Sequence, residues 1–162
     1  VRSRRQRQMC IRDSDNSIIE NLQNSQKEFD GLLRNLPKEK QDFAYAEGKW
    51  TIKELIQHII DTERIFCYRA LCFARNDQTS LPGFDQDIFV DNANSNDRDY
   101  NDLLDEMDVL RKSTIQLYKS FSDEALLRIG IGSGNKMSVR ALGFIFSGHQ
   151  MHHLNVVKER YL

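Results

Sequence analysis

The chain has 162 residues, of which 40% are hydrophobic and 29% charged, and its formal net charge is −1. A chain of this length fits one domain around a single hydrophobic core. Charges of both signs are mixed along it, and no apolar run approaches the roughly 18 residues of a membrane span, which excludes nucleic acid and membranes as partners. We therefore expect one soluble, largely helical domain.

Residues 1–14 differ in composition from the rest of the chain. They carry five arginines and one acidic residue, and the stretch from Arg4 to Ser14 resembles the translation of a transposon-type sequencing adapter. A basic nucleic-acid-binding arm or a targeting peptide is the alternative, but the apolar segment of a signal peptide does not follow. We predict that residues 1–14 are a foreign scar, disordered or extending the first helix, and that residues 15–162 form a single domain.

The hydrophobic periodicity predicts two amphipathic helices in the first half of the chain. The first spans about residues 16–36 and ends before Pro37, because proline does not continue a helix. The second begins after Thr51, since Thr51 and Glu54 have the spacing of a capping box, and it ends near Arg75.

The second half predicts a long loop and two further helices. Residues 77–98 contain Pro-Gly and many Asp and Asn, which is typical of a surface loop of functional length. Helices are predicted over residues 100–121 and 139–160, the latter with Ser138 as its N-cap. Between them, three glycines within residues 130–134 lack the pattern of a phosphate-binding loop and predict a flexible turn.

Four helices joined by connections of mixed length predict the fold class. We expect an all-α, antiparallel four-helix bundle with a long loop between helices 2 and 3. Cys67 and Cys72 are five residues apart on the predicted second helix and point in different directions, which does not favour a disulfide. Free thiols are typical of the reducing cytoplasm, where we expect the protein to reside.

Three of the four histidines lie together on the predicted fourth helix, as His149, His152 and His153. His149 and His153 are four residues apart, so their imidazoles project from one face, as two nitrogen ligands of a metal require. His58 lies mid-way along the second helix, at a depth that antiparallel packing could bring opposite the pair. The spacing alone leaves open both a metal site and histidines that are merely hydrogen-bonded.

Other side chains near these histidines could support such a site. Three imidazoles with no fourth protein ligand would leave positions open to water or substrate. Glu54 and Asp61, about one turn on either side of His58, are the nearest carboxylates that could fix an imidazole tautomer. An aromatic residue before a helix is more often a packing residue than a ligand contact. The candidate substrate contacts are Trp50, Phe84 and Phe89.

The chain resembles a known family through two sequence motifs. These are Trp50-Thr-Ile-Lys-Glu-Leu-Ile-Gln-His58 and Gly148-His-Gln-Met-His-His153. With them it resembles the DinB/YfiT-like superfamily of metal-dependent enzymes over nearly its whole length after the scar. The resemblance implies a four-helix bundle, often a homodimer, that binds zinc, nickel or a similar ion through three motif histidines. It implies that His152 is not a ligand, although it could contact substrate. The implied ligands are His58, His149 and His153.

The chemistry of a divalent ion leads to a functional hypothesis. Such an ion acidifies a bound water and can deprotonate a coordinated thiol. We therefore expect an enzyme that activates water or a low-molecular-weight thiol for attack on a small electrophile. Characterised members of the family that the chain resembles include bacillithiol- and mycothiol-dependent transferases and isomerases. The resemblance therefore implies S-transfer with a thiol co-substrate. The alternative is a non-catalytic metal-binding or dimerisation module on the same scaffold.

Overall fold

The structure, a computed structural model, describes residues 15–162. The predicted foreign segment, residues 1–14, lies outside the described residues. The helices are α1 (Asp15–Leu33), α2 (Lys38–Gln41), α3 (Ile52–Ala74), α4 (Gln86–Asn92), α5 (Tyr100–Lys119), α6 (Asp123–Leu127) and α7 (Val139–Val156). The other elements are a 3₁₀ turn (Ser95–Asp97), strands β1 (Ile129–Gly132) and β2 (Asn135–Ser138), and a π-helical turn (Val157–Tyr161).

The four long helices, α1, α3, α5 and α7, pack into a four-helix bundle, which confirms the predicted all-α class. Helices α3 and α7 run antiparallel. Phe66 of α3 packs against Phe146 of α7, with ring centroids 5.7 Å apart. Two turns earlier on α3, His58 instead meets His149 and His153, which lie later on α7. The predicted antiparallel arrangement therefore holds for the pair of helices that carries the histidines.

Helices α3 and α5, in contrast, run parallel. Glu63 contacts Arg111, and one turn further along both helices Cys67 contacts Thr114. Parallel neighbours require a connection that returns along the length of the bundle, and the long segment between α3 and α5 supplies it. The long loop expected between these helices is thus the crossover of the bundle.

The start of α3 follows directly from its sequence. Thr51 Oγ1 accepts a hydrogen bond from the Glu54 backbone N–H at 3.2 Å, and Glu54 Oε2 accepts one from the Thr51 N–H at 2.7 Å. This is the complete capping box that the sequence predicts. It satisfies two N–H groups that a helix start otherwise leaves without partners, and it sets the residue at which α3 begins.

The long connection contains more structure than the sequence analysis predicts. Helix α4 begins after Asp85, whose Oδ1 accepts hydrogen bonds from the N–H groups of Asp87 at 3.0 Å and Ile88 at 3.1 Å. Val90 is the buried side chain of this helix. A capping aspartate followed by one apolar anchor is sufficient for a seven-residue helix that packs on the bundle.

The glycine-rich segment is a β-hairpin, so the predicted flexible turn is wrong. Strands β1 and β2 pair antiparallel, with Gly132 opposite Asn135. A Cβ atom at Gly130 would lie 1.8 Å from Phe73 Cδ1, so the strand lies directly on α3 only because this side chain is missing. Gly134 in the turn has φ +75°, a conformation that favours glycine.

A buried ion pair joins three helices of the bundle. Arg111 of α5 donates to both carboxylate oxygens of Glu63 on α3, at 2.9 and 2.7 Å, and both side chains are at most 3% exposed. Arg111 Nη1 also donates to the Leu22 carbonyl of α1 and to Ser25 Oγ. Thr114 Oγ1 donates to Glu63 at 2.7 Å. These hydrogen bonds satisfy charges that would otherwise be costly to bury.

Three of the long helices end earlier than the sequence predicts. Helices α1 and α5 end at Leu33 and Lys119, two or three residues before the predicted ends, and α7 ends at Val156 before the π-helical turn. Helix assignments commonly differ by this much at their ends. Within residues 15–162, no helix combines the length and apolar character that crossing a membrane requires.

Candidate metal centre

Three histidine side chains converge between α3 and α7. The Nε2 atom of His149 lies 3.1 Å from Nε2 of His58 and 3.1 Å from Nε2 of His153. A ligand atom from each of the three rings lies within 4.8 Å of the others. His58 is buried, and the other two are half-buried. The sequence analysis singles out these three histidines, and the structure brings them together.

The two helices set this convergence by simple periodicity. On α7, His149 and His153 are one turn apart and share a face. Ser138 caps this helix, accepting a hydrogen bond from the Ala141 N–H at 3.0 Å. His152 is exposed, with its ring centroid 5.2 Å from that of His153, and its nitrogens are not among those that converge. His152 is therefore not part of the three-nitrogen cluster.

The cluster fits a divalent metal ion better than it fits hydrogen bonding alone. In a tetrahedral zinc site with Zn–N bonds of about 2.0–2.1 Å, neighbouring ligand nitrogens are about 3.3 Å apart. The two 3.1 Å separations are close to this value. A neutral imidazole offers either one hydrogen or one lone pair at Nε2, so His149 cannot form two full hydrogen bonds through that atom. One cation facing three lone pairs would satisfy all three rings.

Burial keeps these imidazoles neutral, as metal ligands must be. Loss of hydration lowers the pKa of His58 to about 4, against a smaller opposing effect of the Asp87 carboxylate. Burial, and secondarily the neighbouring imidazoles, lower the pKa of His149 to about 4 and that of His153 to about 3. All three rings are therefore uncharged at neutral pH, with lone pairs available for coordination.

The two carboxylates that the sequence suggests as imidazole partners have other roles. Glu54 completes the cap of α3, and its Oε1 accepts a hydrogen bond from Asn96 Nδ2 at 2.9 Å. Asp61 accepts one from Gln57 Nε2 at 2.9 Å, and burial raises its pKa. Among the described residues, neither carboxylate hydrogen-bonds to a histidine of the cluster. The structure does not bring Glu54 or Asp61 into the cluster.

Trp50 lies over the cluster and lines a neighbouring cavity. Its ring centroid is 4.8 Å from that of His58, with the two planes tilted by 41°. Its carbonyl accepts a hydrogen bond from Tyr161 Oη at 2.6 Å, which fixes the segment before α3. The cavity has a volume of about 340 Å³. Its walls include Trp50, His152 and His153, so it reaches one of the cluster histidines directly.

The two phenylalanines expected to contact substrate do not line this cavity. Phe84 and Phe89 pack against each other, with ring centroids 5.2 Å apart. Asp87, between them in sequence, does line it, and so do Tyr45 and Lys49. The sequence analysis misses these three residues. Asp85 before an apolar stretch was the available signal, because recognising this N-cap would have predicted α4 and placed Asp87 in its first turn.

The fold and the cluster together define a class of protein, helical bundles with a three-histidine centre of metal-binding type between two helices. The comparisons with known proteins agree with this. Residues 21–157 match the sequence model of the DinB superfamily, and the chain belongs to that superfamily.

Two solved structures from Bacillus subtilis are similar to this chain. YfiT, described as "a probable metal-dependent hydrolase with an unusual four-helix bundle topology", has a TM-score of 0.80 and 16% sequence identity, covering 91% of this chain and 86% of its own. The DinB-like protein YjoA has a TM-score of 0.59 and 20% identity, covering 86% and 85%. No curated protein sequence matches the chain. At these identities the similarity supports the fold.

Proposed function

We propose that the protein is a metal-dependent enzyme in which His58, His149 and His153 hold one divalent ion, zinc or nickel. The activated nucleophile is water or a low-molecular-weight thiol, and its target is a small electrophile. One observation carries the proposal: three neutral imidazole nitrogens face a common point beside a cavity large enough for a small molecule.

The chemistry follows from the kind of ligand set. A divalent ion bound by three neutral ligands keeps its charge, lowers the pKa of a bound water toward neutrality and can deprotonate a thiol. Side chains around the ion would supply the remaining requirements of catalysis, which are exclusion of water and positioning of the substrate. Trp50 covers His58 and limits access of bulk water, and the cavity holds the electrophile next to His153. His152, on the cavity wall, is placed to contact substrate.

The cavity favours an enzyme over a non-catalytic metal-binding module. A purely structural centre of this kind usually has four protein ligands and no opening to solvent. The description of YfiT as a probable metal-dependent hydrolase supports the hydrolytic form of the proposal. Thiol transfer is the second form, and it rests on the same ligand set. A cytoplasmic homodimer is also proposed, and the free thiols of Cys67 and Cys72 support the location.

Metal analysis of the purified protein tests the ligand assignment. We expect about one zinc or nickel ion per chain, and loss of that ion in His149→Ala. His152→Ala is the matched control, because it removes an imidazole from the same helix turn outside the cluster and should keep the ion. A wild-type protein that stays free of metal after growth and refolding with zinc and nickel would refute the metal centre.

Activity measurements then distinguish water from thiol as nucleophile. Metal-loaded protein is incubated with ester and amide substrates, and separately with an alkylating electrophile plus a thiol. Turnover that depends on the metal and disappears in His149→Ala supports catalysis. If metal-loaded protein turns over neither class above the metal-free control, the protein is the non-catalytic module instead.

A further inference from the structure

Two opposite charges line the cavity beside the histidine cluster without neutralising each other. Lys49 and Asp87 both belong to the cavity wall. Among residues 15–162, neither side chain takes part in an ion pair within 4 Å, either with the other or with a third residue. Lys53, a few residues after Lys49, is by contrast paired with Asp42 at 2.9 Å. The cavity therefore has one cationic and one anionic wall group available to a ligand.

Each of these charges follows from a defined backbone segment. Asp87 lies in the first turn of α4, and the Asp85 carboxylate holds that turn through the Asp87 N–H. Asp87 lines the same cavity as His152 and His153, which places its carboxylate in the space beside the histidine cluster. Lys49 follows Gly48, whose φ of +70° sets a tight turn immediately before Trp50.

The rest of the cavity wall combines the imidazoles of His152 and His153 with larger aromatic rings and with aliphatic groups. Tyr45, Trp50 and Tyr161 contribute rings, and Leu55 and Val156 contribute alkyl groups. Lys49 and Asp87 are both exposed, so the apolar groups offer a packing surface for the ligand while the two charges select its charged groups. A ligand with a single charge would leave the opposite wall group without a partner.

We propose that this cavity binds a small zwitterion, with its ammonium group against Asp87 and its carboxylate against Lys49. This proposal rests on the proposed function, which supplies a thiol as the third group of the ligand, directed at the three histidines. The ligand class is therefore an amino acid thiol. The aromatic wall of Tyr45 and Trp50 packs on its carbon skeleton. A neutral or singly charged thiol of the same size binds more weakly.

The test uses metal-loaded, full-length protein and three thiol probes in binding titrations. L-Cysteine carries both charges, N-acetylcysteine lacks the ammonium group, and cysteamine lacks the carboxylate. We expect cysteine to bind about tenfold more tightly than either analogue, the size expected for one charge-assisted hydrogen bond at a partly open site. Metal content is measured before and after each titration, so that removal of the ion by a probe is detected.

Charge-removing variants assign the selectivity to the two wall groups. Asp87→Asn should abolish the preference for cysteine over N-acetylcysteine, and Lys49→Gln should abolish the preference for cysteine over cysteamine. Asp91→Asn, on the exposed side of α4, and Lys136→Gln, on the hairpin, are matched controls that should preserve both preferences. Thermal unfolding of every variant confirms that it is folded.

The outcomes separate this inference from the proposed function. A preference for cysteine that survives Asp87→Asn and Lys49→Gln would come from chelation of the ion by sulfur and nitrogen, and it would overturn the zwitterion site. Equal binding of all three probes to metal-loaded protein would also overturn it, while leaving the metal centre intact. If the wild-type protein cannot be loaded with metal, the proposed function itself is refuted.

Discussion

The Nε2 atoms of His58 and His149 lie 3.1 Å apart, although 91 residues separate the two histidines in the chain. This approach depends entirely on how α3 and α7 pack against each other. An ion held between them would link two helices through a contact that the unfolded chain lacks. The first prediction follows from this link.

Removing the metal should lower the stability of the fold. A ligand present at about one hundred times its dissociation constant stabilises the native state by about 2.7 kcal/mol. We therefore expect the free energy of unfolding to fall by roughly 2–3 kcal/mol when a chelator strips the protein, as measured by denaturant titration. His149→Ala should show no difference between metal-treated and chelator-treated samples. An equal response of the wild type and this variant would contradict a specific link.

The metal-free protein should become less stable as the pH falls from about 6.5 to about 4. Burial lowers the pKa of His58 and His149 from 6.5 to about 4, so in this window the unfolded chain binds protons that the folded chain does not. Stability rises with pH wherever the unfolded state binds more protons, so it falls on acidification. Denaturant titrations between pH 7 and 4.5 measure the slope.

A variant with one cluster histidine removed isolates that pH effect. His153→Gln should reduce the slope of stability against pH, because one group with a lowered pKa is removed. His152→Gln, at the neighbouring exposed position, should change the slope less, because it leaves all three buried imidazoles in place. The assignment to the buried cluster would be wrong if both variants changed the slope equally.

Breaking the Arg111–Glu63 pair should be among the most destabilising changes in the bundle. Arg111→Met leaves the Glu63 carboxylate buried without its partner, which typically costs about 3–5 kcal/mol. Arg34→Met removes the exposed pairs with Asp30 and Asp105 and should cost less, about 1 kcal/mol. Chemical denaturation of both variants makes the comparison, and similar losses would show that the buried network contributes little.

Gly130→Ala should displace the hairpin from α3. The new Cβ atom would lie 1.8 Å from Phe73, a distance that requires the strand or the ring to move. We expect a loss of roughly 1–3 kcal/mol, typical of overpacking a filled core. Gly31→Ala is the control, since its Cβ would meet nothing within 4 Å on a helix and should stabilise by about 0.5–1 kcal/mol.

Cys67 should react slowly with alkylating reagents in the native protein. Burial raises the pKa of its thiol to about 11, so little thiolate is present at pH 8. Its sulfur lies 3.2 Å from Thr114 Oγ1 in the interface of α3 and α5. Peptide mapping by mass spectrometry after iodoacetamide treatment should show modification of Cys67 only after denaturation. Rapid labelling of the native protein would indicate that this interface opens readily.

The parts of the fold that the sequence predicts well are those determined by local patterns. The capping box of Thr51 and Glu54 predicts the start of α3, and helical spacing places His149 and His153 on one face. The depth of His58 along its helix made its approach to that pair possible, but only the family resemblance predicted it, because periodicity does not determine which helices become neighbours. Bundle topology depends on packing over the whole chain.

The parts that the sequence does not predict depend on contacts between distant segments. Strand β1 exists because Gly130 lets the backbone lie on Phe73, and four residues with two glycines carry almost no strand signal. Asp87 reaches the cavity because Val90 anchors α4 to the bundle, which a single apolar residue in a polar segment does not reveal. Glu54 and Asp61 have the right spacing for His58, but other residues occupy their oxygens.

The separation of the three histidines along the chain also has a consequence for biosynthesis. His58 and His149 are 91 positions apart, and ribosomes add about 5–20 residues per second, so His58 emerges roughly 5–20 s before its partners. During that interval a nascent chain presents a lone imidazole with little affinity for any ion. Loading of the proposed ion would therefore wait until the last long helix has left the ribosome and docked, so the ion would enter a chain that is already folded.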